Sequence, residues 1–274
     1  MSTLISTSEL AEHLDAYRVV DVRWDLSAPG AGRAAWEEGH IPGAAYLHLY
    51  DDLSDPDDPV EGQLATTERL ARALQGAGIG PGDRVVAYDD ARIFTAARLA
   101  WAAETLGLPV IRVLDGGLPR WTAEGRPLAT GPADAPEPAG APPVPDRPPR
   151  PDLRVGREEV RATVDSGDRV LLYCRLDGTW DAAGAHIPGA RRLPSLSTLD
   201  PGSGTMRGEA DIAARAAAAG AEPETPVTLY CGGGVSATQV YIALREAGYR
   251  DLSVYDGSWS EWSADPSLPR EPHT

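Results

Sequence analysis

The chain is 274 residues long, 42% hydrophobic, and carries a formal net charge of -16 at pH 7. That length exceeds the roughly 100 to 200 residues of one domain, so two are expected. The acidic balance, spread over both halves, argues against binding nucleic acid or an anionic membrane surface, although a small anion can still be held by a local group of arginines.

No apolar run approaches the roughly 20 residues needed to cross a bilayer. The opening MSTLISTSELAEHL has neither the basic stretch nor the apolar core that directs export, so a cytoplasmic location is expected. Cys174 and Cys231 are too few for a disulfide scaffold, and the five histidines show no metal-ligand spacing. No metal and no cofactor is expected. Lysine is absent, so every basic residue is an arginine.

In chain order, a β-branched run at Val19 to Val22 predicts a strand, and the loop after it ends in His40-Ile41-Pro42-Gly43-Ala44. A helix rich in Ala, Leu, Arg and Glu leads to a second strand at Val85 to Tyr88, then another helix and a third strand at Ile111 to Leu114. Residues 127–151 are dense in Pro, Ala and Gly without any period, which predicts a semi-rigid linker. The order then repeats: a strand at Val170 to Tyr173, a loop through His186-Ile187-Pro188-Gly189-Ala190, a helix, a strand at Val227 to Tyr230, a helix starting near Ser236, and a strand at Leu252 to Tyr255. GHIPGAAYL at 39–47 answers AHIPGARRL at 185–193, and VLDGGLPRW at 113–121 answers VYDGSWSEW at 254–262. Strands alternating with helices imply a mostly parallel sheet covered by helices on both faces. The expected organisation is a duplicated α/β fold, with an N-terminal domain over 1–126, the linker over 127–151 and a C-terminal domain over 152–274.

The halves differ at the turn after their second strand. One reads Tyr88-Asp89-Asp90-Ala91-Arg92 and the other Tyr230-Cys231-Gly232-Gly233-Gly234. In open α/β sheets, ligands bind at such carboxyl ends of strands. Glycines let the backbone take positive φ and let successive N–H groups converge on one anion, and a helix starting near Ser236 adds its positive end. Both effects favour Cys231 as a thiolate, the nucleophilic form. The alternative is a small core cysteine beside a tight turn. Cys174, followed by neither glycine nor a helix start, reads as structural. Asp89 and Asp90 read as solvated carboxylates at a turn that has lost its cysteine. Trp121, Trp259 and Trp262 recur after Asp-Gly and read as core packing.

The paired His-Ile-Pro-Gly-Ala segments, LDGGLPRW, YDGSWSEW and above all CGGGVSA make the chain resemble a tandem rhodanese-type sulfurtransferase over nearly its whole length. The resemblance implies two rhodanese-like domains, the first non-catalytic and the second catalytic. Cys231 would attack the sulfane sulfur of a small-molecule donor and become a persulfide, cradled by the N–H groups of Gly232, Gly233, Gly234, Val235, Ser236 and Ala237. A thiol, cyanide or a thioredoxin-like protein would then accept the sulfur. Loops of this family that prefer thiosulfate resemble Cys-Arg-Lys-Gly-Val-Thr-Ala, and those that prefer 3-mercaptopyruvate resemble Cys-Gly-Ser-Gly-Val-Thr-Ala. With Gly232 and Gly233 in place of the two cations, the resemblance implies 3-mercaptopyruvate as donor and thiosulfate as the alternative.

Two further residues enter through the same likeness. Arg175 lies in Tyr173-Cys174-Arg175, where the family reads Asp-x-Arg, and is implied to hold the donor carboxylate; the alternative is a surface ion pair. His40 is implied to bind or orient the donor near a cleft between the domains, with a structural hydrogen bond as the alternative for it and for His186. Two other function classes fit less well. A cysteine phosphatase needs an arginine at the end of the loop, where Ala237 stands, and a non-catalytic binding module of this family typically lacks the cysteine.

Overall fold

The short β-branched runs become the strands of two parallel sheets, one in each half of the chain. The computed structural model describes residues 2–273 other than 26, 29, 91 and 133–135, with 177, 180 and 181 described in backbone only. Ala91 and part of the Pro-rich stretch therefore lie outside the described residues. By their internal contacts the residues group into two units, Met1–Arg150 with Gly202–Thr205 and Pro151–Pro201 with Met206–Thr274.

In the first unit β1 (Leu4–Ile5), α1 (Thr7–Glu12), β2 (Arg18–Asp21), α2 (Ala31–Glu38), β3 (Ala45–Tyr46), α3 (Thr67–Gly76), β4 (Val85–Tyr88), α4 (Phe94–Thr105), β5 (Ile111–Leu114) and α5 (Gly117–Ala123) follow in order. The sheet order is β1-β5-β4-β2-β3, every pair parallel. The second unit holds β6 (Arg154–Val155), α6 (Arg157–Ser166), β7 (Val170–Tyr173), α7 (Asp177–Ala183), β8 (Ala185–His186), β9 (Arg191–Arg192), α8 (Glu209–Ala218), β10 (Val227–Tyr230), α9 (Val235–Glu246), β11 (Leu252–Tyr255), α10 (Ser258–Ala264) and β12 (Glu271–Pro272). Its sheet order, β6-β11-β10-β7-β9, repeats the first, and β12 pairs antiparallel with β8.

All four residues of the central strands β4 and β10 are buried, the pattern of strands covered on both faces. The helices after them, α4 and α9, are buried nearly all round and rich in small residues, which lets them lie close to the sheet. More exposed helices rely on caps and one apolar stripe. In α3, Thr66 accepts the Arg69 N–H at the start, and Leu70, Ala71 and Leu74 face inward.

The Pro-rich stretch is not a loose tether. Several of its N–H groups bond to the first unit: Gly131 donates to Glu37 O at 2.7 Å, Ala139 to Gln75 O at 2.9 Å, Asp146 to Gly107 O at 3.1 Å and Arg150 to Thr105 O at 2.8 Å. Pro-rich backbone has no ladder of its own, so these N–H groups find carbonyls on the unit it crosses.

A tyrosine at the end of each central strand pins the duplicated His-Ile-Pro-Gly loop. Tyr88 Oη accepts from Ile41 N at 3.1 Å, and Tyr230 Oη accepts from Ile187 N at 3.2 Å. Tyr88 has a second task. It donates at 2.7 Å to the buried carboxylate of Asp21, which also holds Arg23 at 2.7 Å. Removing the Tyr88 hydroxyl thus strips a buried charge of one donor, whereas among the described residues the Tyr230 hydroxyl serves an amide alone. Tyr88→Phe is expected to cost about 2 to 4 kcal/mol and Tyr230→Phe about 1 kcal/mol in urea unfolding of the whole chain. Equal losses would show that Asp21 does not rely on the hydroxyl.

Candidate active site

Cys231 follows β10 directly and lies 2% exposed, with Gly232 to Gly234 leading into α9. Only Gly234 takes the left-handed conformation, with φ 78° and ψ -4° at the helix N-cap. A Cβ at Gly233 would meet nothing within 4 Å, and one at Gly232 would approach only the Arg175 guanidinium, at 3.9 Å from Nε. The first two glycines therefore keep the mouth of the loop open.

The loop carbonyls are turned away from that mouth. Cys231 O accepts from Trp259 N at 3.1 Å, and Gly232 O accepts from Ser260 N at 2.9 Å and Ser260 Oγ at 2.8 Å. A trans peptide is planar with its N–H opposed to its C=O, so the N–H groups of Gly232 and Gly233 face the other way. Neither these nor the N–H groups of Val235, Ser236 and Ala237 have a partner among the described residues. The loop thus offers several amide donors and the positive end of a 12-residue helix around one cysteine.

The first unit shows what such a turn does with an anion. Five residues, 89–93, separate β4 from α4, and four, 231–234, separate β10 from α9. Ile93 at the N-cap is left-handed like Gly234, so Thr95 corresponds to Ser236 and Ala96 to Ala237. Asp89 is 1% exposed, not solvated as its sequence suggested. Its carboxylate accepts from Ile93 N at 2.8 Å, Thr95 Oγ1 at 2.9 Å and Ala96 N at 2.9 Å. Burial pushes its carboxyl up from the ordinary range, and these three donors oppose that rise. Asp90 is exposed, as expected.

Arg175 flanks the cysteine loop and differs from its duplicate. In β2 and just beyond it, Asp21 holds Arg23 so tightly that both side chains are withdrawn from solvent, at 0% and 7% exposure. At the matching positions in the second unit Tyr173 replaces the aspartate and stacks on Tyr230 at 4.4 Å between ring centroids. Arg175, half-buried, is left with a 3.4 Å contact to Tyr173 Oη and no carboxylate among the described residues. Burial and the nearby Cys231 push the Cys174 thiol well up, and Cys174 is fully buried. Ser236 Oγ donates to Cys174 O at 3.3 Å.

His40 belongs to the core of the first unit. It is 0% exposed, its Nδ1 lies 2.8 Å from Trp36 O, and its ring stacks on Trp36 at 4.7 Å. A ring so enclosed offers no surface to a donor, so the substrate-binding expectation for His40 gives way to the structural alternative. His186 likewise bonds locally, its Nδ1 3.0 Å from Ile187 O. Trp121 and Trp262 are buried and donate to Pro127 O and Pro269 O, each at 2.8 Å. Among the described residues no group of three or more His, Cys, Asp or Glu could hold a metal ion, and no helix is long and apolar enough to cross a membrane. Ser258, which contacts Cys231, was not legible as a site residue; its one signal is that its duplicate in VLDGGLPRW is Gly117.

Known proteins resemble this chain over nearly its whole length. A Mycobacterium tuberculosis protein named "Putative thiosulfate sulfurtransferase SseB" is 35% identical over 278 residues, spanning 97% of this chain and 95% of its own. The human "3-mercaptopyruvate sulfurtransferase" is 30% identical over 277 residues, spanning 94% of this chain and 91% of its own. The crystal structure of SseA from Escherichia coli, a 3-mercaptopyruvate sulfurtransferase by its description, superposes with a TM-score of 0.81 at 26% identity, covering 95% of this chain and all of that one. The model of the "Rhodanese-like domain" matches twice, over residues 6–124 and 156–265, and the chain belongs to that family.

Proposed function

We propose that this chain moves a sulfane sulfur from 3-mercaptopyruvate, through a persulfide on Cys231, to a small thiol, cyanide or a thioredoxin-like protein. The chain is a sulfurtransferase of the 3-mercaptopyruvate/thiosulfate type, as its full-length relatives are named. We place it in the cytoplasm, a reducing compartment that suits two unpaired cysteines.

In the first step the Cys231 thiolate attacks the donor sulfur. An S–S bond forms, the C–S bond of mercaptopyruvate breaks, and its electron pair leaves on carbon as the enolate of pyruvate, which takes up a proton. In the second step the acceptor attacks the outer sulfur, the S–S bond breaks, and the thiolate returns; cyanide leaves as thiocyanate. The Asp89 carboxylate supports a location for the negative sulfur. Of its donors in the first unit, Ala96 N corresponds to the Ala237 N–H in the second, while the hydroxyl of Ser236, the counterpart of Thr95, is spent on Cys174 O.

The observation that carries the donor assignment is the guanidinium of Arg175 beside Gly232, which meets no carboxylate among the described residues. Thiosulfate brings its sulfonate charge close to the transferred sulfur, where the loop has amides but no cation. Mercaptopyruvate brings a carboxylate farther off, within reach of Arg175 just beyond the neighbouring strand β7.

Cys231→Ser should take up no cyanolysable sulfur after exposure to donor, while Cys174→Ser keeps most activity. Equal losses in two folded variants would mean that the cysteine roles are misassigned. Wild-type kcat/KM is expected to favour 3-mercaptopyruvate over thiosulfate by at least about tenfold, a transition-state difference of roughly 1.4 kcal/mol. Arg175→Ala should erode that preference by raising KM for mercaptopyruvate, because it removes a contact remote from the reacting sulfur. Faster turnover of thiosulfate by the wild type would overturn the donor and leave the persulfide standing.

A further inference from the structure

Cys231 is gripped from behind by one short segment. Its N–H donates to Ser258 Oγ at 3.1 Å, its carbonyl accepts from Trp259 N at 3.1 Å, and the next carbonyl, of Gly232, accepts from Ser260 N at 2.9 Å. Ser258 Oγ donates in turn to Tyr255 O at 2.9 Å, the last residue of β11, so the hydroxyl ties the cysteine amide to the sheet. Ser258 is fully buried and has φ 52°, in the left-handed region that favours glycine.

The duplicate shows that this serine is not required by the fold. Gly117 occupies the same turn with φ 56°, and Leu118 N donates to Asp89 O at 3.0 Å just as Trp259 N does to Cys231 O. A Cβ on Gly117 would lie 2.3 Å from Asp89 O, and Pro119 has no N–H to match that of Ser260. The unit without the cysteine thus keeps one of these hydrogen bonds. The unit with the cysteine accepts a residue strained by about 1 kcal/mol or more and adds bonds to both sides of Cys231.

We infer that Ser258 is a positioning residue for sulfur transfer: its hydroxyl fixes the peptide of Cys231 so that the loop N–H groups, and not its carbonyls, surround the reacting sulfur. The assignment rests on Cys231 as the sulfur carrier. Donor affinity is set elsewhere, by Arg175, so loss of Ser258 should slow the transfer step without weakening binding.

The test is single-turnover loading of the full-length enzyme with 3-mercaptopyruvate, read as cyanolysable sulfur across donor concentrations. Ser258→Gly removes the hydroxyl and also the strain, so its unfolding midpoint should stay close to that of the wild type. Its maximal loading rate should fall at least about fivefold, the factor corresponding to one hydrogen bond of about 1 kcal/mol, with the half-saturating donor concentration unchanged. Ser258→Ala, which keeps the strain, should show the same rate defect with lower stability. A purely structural role would lower stability and leave the loading rate of folded enzyme as it was, and that result overturns the inference. A raised half-saturating concentration at wild-type rate overturns it too. If the wild type itself takes up no cyanolysable sulfur, the persulfide reading falls and this inference with it; if the wild type loads and Ser258→Gly loads as fast, only the inference falls.

Discussion

A turn that carries the chain from a buried central strand into a buried helix leaves several backbone N–H groups without carbonyls, and a single anion can satisfy them together. The first unit builds that anion into its own sequence as Asp89. The carboxylate also holds two non-glycine residues, Arg92 and Ile93, at φ 66° and 73°, where side chains are strained. In the second unit the side chain at the strand end is a thiol, Gly234 takes the left-handed position, and the N–H groups of Gly232, Gly233, Val235, Ser236 and Ala237 have no partner among the described residues. One geometry serves as a closed structural knot in one copy and as an open site in the other.

The same divergence of duplicates governs the arginines. Asp21 and Arg23 neutralise each other in the first unit, and Tyr88 completes the buried group. A buried pair of this kind is costly to break and has no capacity for a further ligand. Exchanging the aspartate for Tyr173 replaces the ion pair with aromatic stacking on Tyr230, which stabilises the same region without charge. The guanidinium of Arg175 is thereby released next to the cysteine loop. Burial of Tyr173 raises its pKa, so its hydroxyl stays protonated and adds no competing negative charge beside the arginine.

Much of this was legible in the sequence because it rests on local chemistry. The strands, the duplication, and the contrast between Asp89 and Cys231 follow from β-branched runs, repeated motifs and a cysteine followed by glycines. The fate of Asp89 was not legible. A carboxylate after a strand is usually solvated, and only the curl of the turn brings three donors onto it. His40 read as a ligand because histidine chemistry is versatile, yet its ring is spent on Trp36. Gly232 and Gly233 read as backbone necessities, whereas their φ values are ordinary and what matters is the space they leave. The Pro-rich stretch read as a semi-rigid linker because composition reports the lack of a period and cannot report which of its N–H groups find acceptors on the first unit.

An acidic chain that works on an anionic donor is no contradiction once distance is considered. At physiological ionic strength, surface charges more than about 8 Å away are largely screened. A small donor in the loop therefore responds to Arg175, the amide groups and the helix terminus, and hardly to the net charge of -16. Many of the remaining arginines are already matched to carboxylates, as Arg169 is to Asp251 and Arg154 to Asp256 in the second unit, and attract little on their own account. A long polyanion would instead lie along many acidic residues at once and accumulate repulsion within the screening length. The surplus of carboxylates thus discriminates by size: it disfavours extended anions over the surface and leaves the local field at Cys231 to nearby groups, among them Arg175 and the loop backbone.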